Sequence, residues 1–81
     1  MQQSTAMNYL QKNIRVLLAA REMTQNDLAE RCGIAPGNLS VIIHGKQRVT
    51  IQRAERIAAA FGISLSELLD ENLEKIVAVP A

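Results

Sequence analysis

The apolar positions of the chain recur at helical intervals in five groups, separated by residues that start or stop helices. Leu10, Ile14, Leu17 and Leu18, with Arg21 continuing the stripe, stand four, three, one and three positions apart. This spacing predicts a first helix over residues 5–22. Thr24 offers an N-cap hydroxyl with Asp27 three positions on, and Leu28, Ala29 and Cys32 form the inner face of a second, short helix that stops at Gly33. Pro36 has no amide hydrogen to lose in a first turn, so a third helix starts there and runs through Leu39, Ile42 and Ile43 to Gly45. Thr50 caps a fourth, with Ile51, Ala54, Ile57, Ala58 and Phe61 inward and Gly62 at its end.

The fifth group opens on Ser64 and Glu67 as a capping box, and Leu65, Leu68, Leu69, Leu73, Ile76 and Val77 keep helical spacing towards Pro80. Asn72 offers an earlier stop, which would leave the β-branched run 76–79 extended ahead of the proline. The spacing favours helix as far as about Val77. The expectation is an all-α, compact five-helix domain covering residues 1–81.

Composition narrows the core. Hydrophobic residues make up 48% of the 81 but aromatics only 2%, Tyr9 and Phe61, so the interior must be aliphatic and its helices closely packed. Cys32 is the single cysteine; it excludes an intramolecular disulfide and reads as a small core residue. A lone His44 provides no metal set. No stretch approaches the ~18 apolar residues of a membrane span, and the first ten residues lack the basic and apolar regions of a signal peptide. A cytoplasmic, nucleoid-associated protein is expected. Paired carboxylates, Cys/His or Ser/His arrangements and a phosphate-cradling glycine loop are missing, so neither an enzyme nor a cofactor is implied.

The net charge of +1 conceals a polarity. Residues 1–63 hold eight of the nine basic residues against four acids, whereas residues 64–81 hold Lys75 against Glu67, Asp70, Glu71 and Glu74. A basic body with an acidic end suits a polyanion on one face and another partner elsewhere.

Two short helices joined at a glycine must cross steeply, which calls for a small residue where they touch and apolar residues filling the angle. Ala29, Gly33, Leu39 and Ile42 meet that need. Together with the TQxxLA of residues 24–29, the LS of Leu39 and Ser40, the GK of Gly45 and Lys46 and the AxxFGIS of residues 58–64, they make the chain resemble the lambda-repressor-like and Cro-type (XRE) helix-turn-helix transcriptional regulators. The resemblance covers about residues 14–69.

It implies that helix 3 enters the major groove of double-stranded DNA while helix 2 lies across the backbone. Thr24 and Gln25, at the positive end of helix 2, and Lys46, Gln47 and Arg48, in the loop after helix 3, are then the phosphate contacts. Pro36, Gly37, Asn38, Ser40, Val41 and His44 face the bases or groove, with His44 also placed to interact with the C-terminal end of its own helix. Relatives usually start this helix with a Ser or Thr cap followed by base-reading side chains; here stand Ala35, Pro36 and Gly37. Gly37 therefore has two readings: close approach of backbone to DNA, or absence of sequence reading. Relatives also pair an Arg late in helix 1 with a Glu in helix 3, positions held here by Leu18 and Ile43. Losing both charges together is compatible with an intact fold.

The implied function is a sequence-specific regulator, Cro-like or a prophage-type repressor, acting as a homodimer on a two-fold operator. Leu65, Leu69, Leu73, Ile76 and Val77 exceed what a small core covers and form the expected dimer interface. The competing reading is an antitoxin-type or other protein-interaction module, with a toxin as partner.

Overall fold

A computed structural model describes residues 9–46 and 48–77, except for the side chains of Ile76 and Val77. The elements are α1 (Leu10–Arg21), α2 (Gln25–Cys32), α3 (Pro36–Ile43), α4 (Ile51–Phe61), α5 (Leu65–Leu68) and α6 (Leu73–Val77). The start of the first helix as expected over residues 5–8 lies outside the described residues. None of the described helices is long and apolar enough to cross a membrane.

The capping chemistry acts where the spacing placed it. Thr24 and Asp27, and Ser64 and Glu67, form reciprocal capping boxes, and the Thr50 hydroxyl accepts the Arg53 N–H. α2 ends at Gly33, whose φ of 72° lies in the left-handed region that only glycine enters without strain. That turn swings the chain through Ile34, which is 5% exposed and fills the angle between α2 and α3. The α1 end is made differently: Glu22 itself takes the left-handed conformation, φ 53°, at a cost of about 1 kcal/mol for a residue with a Cβ.

α1 packs against α3, α5 and α6, while α2 packs against α3 and α4, and α4 against α5. Leu10, Ile14, Leu17, Leu28, Leu39, Ile43, Ile57 and Leu68 are essentially inaccessible in the centre. Leu18 and Ile43, standing where relatives carry an ion pair, belong to the same apolar cluster, and Cys32 lies buried in it.

Three expectations are corrected. The fifth helix is two helices, because the chain turns through residues 69–72 after α5 and resumes as α6, giving six helices among the described residues. Residues 78 and 79 of the extended alternative lie outside the described residues. Helix does reach Val77, as the spacing favours, but the chain leaves it over residues 69–72, beginning before Asn72. The physical reason is Asn13, fully buried on α1, whose amide Nδ2 donates to the carbonyls of Leu68 at 2.6 Å and Asp70 at 2.8 Å. Those carbonyls are held by the tertiary contact, so the turn competes successfully with continued helix.

Ile51 is 54% exposed rather than inward; it keeps the phase of Ala54 but is the first residue of α4, where no neighbouring element covers it. Leu73 is 3% exposed and belongs to the protomer's own core. The surplus apolar surface ascribed to it is consumed by folding. α6 is further tied to α1 by Lys12 Nζ, 2.7 Å from Glu74 Oε1. The Lys12 contact holds the Glu74 carboxyl below its ordinary range, against an opposing desolvation effect.

Candidate nucleic-acid interface

α3 differs from α2, α4 and α5 in beginning without a side-chain cap. Ala35 is its N-cap residue and Pro36 its first residue, and the first main-chain bond runs from Leu39 N–H to the Ala35 carbonyl at 2.9 Å. Ala35, Pro36, Gly37 and Asn38 are all exposed. The N–H groups of Gly37 and Asn38 thus stand at an open, positively polarised helix end.

Gly37 has no positive φ, and a Cβ added to it would meet nothing within 4 Å. The protomer supplies no reason for a glycine here, although glycine in a helix is less stable than alanine by about 1 kcal/mol. What that position favours must be sought outside the fold.

The far end of α3 has its carbonyls fully matched. Ser40 O accepts from His44 N, Val41 O from Lys46 N and Ile42 O from Gly45 N, at 2.9–3.0 Å. Ile43 O accepts from Arg15 Nη1 on α1 at 3.2 Å. Gly45, at φ 73°, permits the reversal that ends the helix and returns the Lys46 N–H to the Val41 carbonyl. The His44 ring also joins this end, with Nδ1 2.8 Å from Ser40 O. A main-chain carbonyl can only accept, so Nδ1 carries the proton.

Ser40, Val41, His44 and Lys46 line one shallow surface depression. The structure therefore brings together three of the residues expected at bases or groove and one expected at phosphate. Pro36, Gly37 and Asn38 lie at the other end of the same helix. Arg48 is exposed in the following loop, and Gln47 lies outside the described residues.

Thr24 and Gln25 belong to a separate element, the start of α2, which packs on α3. Gln25 is exposed. Thr24 is occupied: its N–H donates to Asp27 Oδ2 at 3.1 Å and its hydroxyl accepts from Asp27 N at 3.0 Å. Hydrogen bonds from the Thr24 main chain and then its hydroxyl hold the Asp27 carboxyl below its ordinary range, with a lesser pull from Arg31 and against desolvation. An ionised carboxylate therefore shares this helix end, leaving Gln25 to approach a phosphate through its neutral amide.

Tertiary structure also divides the basic residues. Lys12 is paired with Glu74, Arg15 is bound to Ile43 O, and Arg21 donates to Phe61 O at 2.9 Å. Among the described residues, no hydrogen bond or ion pair engages the side chains of Lys46 and Arg48. The sequence reading missed Arg15; the signal it held was a cation one turn beyond Gln11 on the polar face of α1, which is too common to single out.

Residues 13–74 match the family described as the Cro/C1-type HTH DNA-binding domain. The chain is also similar to the uncharacterized HTH-type transcriptional regulator YozG of Bacillus subtilis (strain 168), at 36% identity over 59 residues, 72% of this chain and 70% of that protein. No solved structure matches it.

Proposed function

The chain belongs to the Cro/C1-type helix-turn-helix DNA-binding family, and on that footing we propose that this transcriptional regulator represses by occupying a two-fold operator as a homodimer. The Cro-like or prophage-type role and the cytoplasmic, nucleoid-associated location are part of the same proposal. The observation that carries it is α3: its start is uncapped and exposed, and the depression at its other end has Lys46 in its lining. Phosphates would be held by Gln25, Lys46 and Arg48, with Thr24, whose main chain and hydroxyl are engaged by Asp27, beside Gln25 at the same helix start and Gln47 next to Lys46 in sequence. Asn38, Ser40, Val41 and His44 would meet the groove, where Asn38 can bond an adenine edge and Val41 can touch a thymine methyl.

Selecting bound sequences from a random duplex pool tests sequence reading directly, and recovery of no two-fold consensus would overturn it. Binding should also weaken with salt, with a slope of about −0.9 per phosphate neutralised. Lys46→Ala or Arg48→Ala is expected to lower affinity for matched and scrambled DNA alike and to flatten the slope by about 1. A wild-type affinity indifferent to salt would contradict the phosphate contacts.

The proposed homodimer uses residues 65–81. Leu65 and Leu69 are half-buried against the protomer's own core, leaving part of each side chain for a partner copy, and Ile76 and Val77 extend the segment. Leu73 is unsuitable as a probe because a charge there would disrupt the protomer. Leu69→Glu is expected to raise the dimer dissociation constant by at least about tenfold, as a carboxylate cannot be buried unpaired, while the circular dichroism spectrum stays helical. Sedimentation equilibrium that finds the wild type monomeric at micromolar concentrations would remove the dimer.

The antitoxin-type reading is favoured by one observation, the exposed acidic group Glu67, Asp70 and Glu71 at the end opposite in charge to the basic body. An electrophoretic shift with bulk DNA at low salt separates the regulator from a protein-interaction module without DNA affinity, which produces none; an antitoxin that also represses its own operon produces a shift as well.

A further inference from the structure

We propose that Arg15 is a positioning residue that sets the direction in which α3 ends and Lys46 and Arg48 leave it; its purpose rests on the DNA-binding reading above. Three of the last four α3 carbonyls are matched by the main chain that follows, at His44, Gly45 and Lys46. The fourth, Ile43 O, is reached by Arg15 Nη1 from 28 positions away in sequence. Gln11, four residues earlier and hence on the same face of α1, lies 4.0 Å from the point where a Gly45 Cβ would stand. One face of α1 thus meets both residues 43 and 45, either side of the reversal.

The remaining link between α1 and this end of α3 is apolar. Leu18 and Ile43 lie in the shared core, and burial of that kind fixes separation without fixing rotation, because it is non-directional. A hydrogen bond is directional, and a guanidinium at a helix C-terminus also complements the dipole. Arg15 therefore determines the rotation of the last α3 turn. The main chain that this turn launches carries Lys46 and Arg48.

The test uses the full chain and Arg15→Met, which keeps the aliphatic stem and removes the donor and charge at an exposed position. In the free protein, amide exchange at Gly45 and Lys46 is expected to accelerate by about tenfold while the α2 amides keep their rates. Against duplex DNA at fixed salt, Arg15→Met is expected to weaken binding by about three- to tenfold, and to have no further effect in a Lys46→Ala/Arg48→Ala background. Equal losses in both backgrounds would mean that Arg15 touches phosphate itself, and would overturn the positioning role. Acceleration spread uniformly over all helices would reduce Arg15 to a general stabiliser and overturn it as well. If the wild type retards no DNA, the regulator reading falls, and the exchange comparison alone still decides whether Arg15 orients the turn.

Discussion

Asn13→Ala is expected to lower the thermal unfolding midpoint by about 10–20 °C, from a loss of about 2–4 kcal/mol in a domain of this size. Asn13 is fully buried, and both hydrogens of its amide are committed, to Leu68 O and Asp70 O. Removing it strands Leu68 O, leaves Asp70 O with the Leu73 N–H alone, and opens a void between α1 and the α5–α6 turn, so the C-terminal helix should undock first. A midpoint shift below about 3 °C would show that the two bonds do not hold this turn. Asn13→Asp sharpens the test, because the wild-type Oδ1 has no hydrogen-bond partner among the described residues. A carboxylate there would face two carbonyls, which raises its pKa in the folded state above the unfolded value. The folded state then binds the proton more tightly, so the variant's stability falls as pH rises through the carboxylate range and recovers in acid. A deficit independent of pH would argue against the geometry.

Gly37→Gln is expected to reduce affinity for the protein's own operator by at least about tenfold, while stabilising the isolated protein by about 0.5 kcal/mol through better helix propensity. The structure is what makes these two effects separable. Nothing within 4 Å of the position resists a side chain and its backbone requires no glycine, so a loss of binding cannot be blamed on the fold. Close approach of the α3 backbone to DNA predicts the loss; a merely missing reader predicts unchanged binding or a new base preference. Asn38→Ala and Val41→Ala should instead alter sequence preference more than general affinity, by about 1–3 kcal/mol where a bidentate base contact is lost. Affinities of all three variants on matched and scrambled duplexes decide between the readings. If none of them differs from the wild type on either duplex, α3 is not the reading element.

Which parts of this protein were legible in its sequence follows from the range of the forces involved. Caps, glycine stops and the 3.6-residue apolar period act within a few residues of one another, and Thr24 with Asp27, Thr50, Ser64 with Glu67, Gly33 and Gly62 all operate where the sequence set them. The α2–turn–α3 unit was therefore legible, and so was the exposure of Pro36, Gly37 and Asn38. The break after α5 was not, because residues 65–77 keep a helical period throughout, and the distant Asn13 amide holds the turn together with a local bond from Asn72 N–H to Asp70 Oδ1. Apolar identity alone likewise cannot say which side chain finds a neighbour: Ile51 does not and Leu73 does, a matter of where α4 overhangs and where α6 folds back on α1. The sequence determined by itself how many cations the body carries. Only the tertiary structure decided that Lys12, Arg15 and Arg21 are bound within the protomer and that Lys46 stands with Ser40, Val41 and His44 around one depression at the C-terminal end of α3, since a charge is allocated by the partner it meets in space.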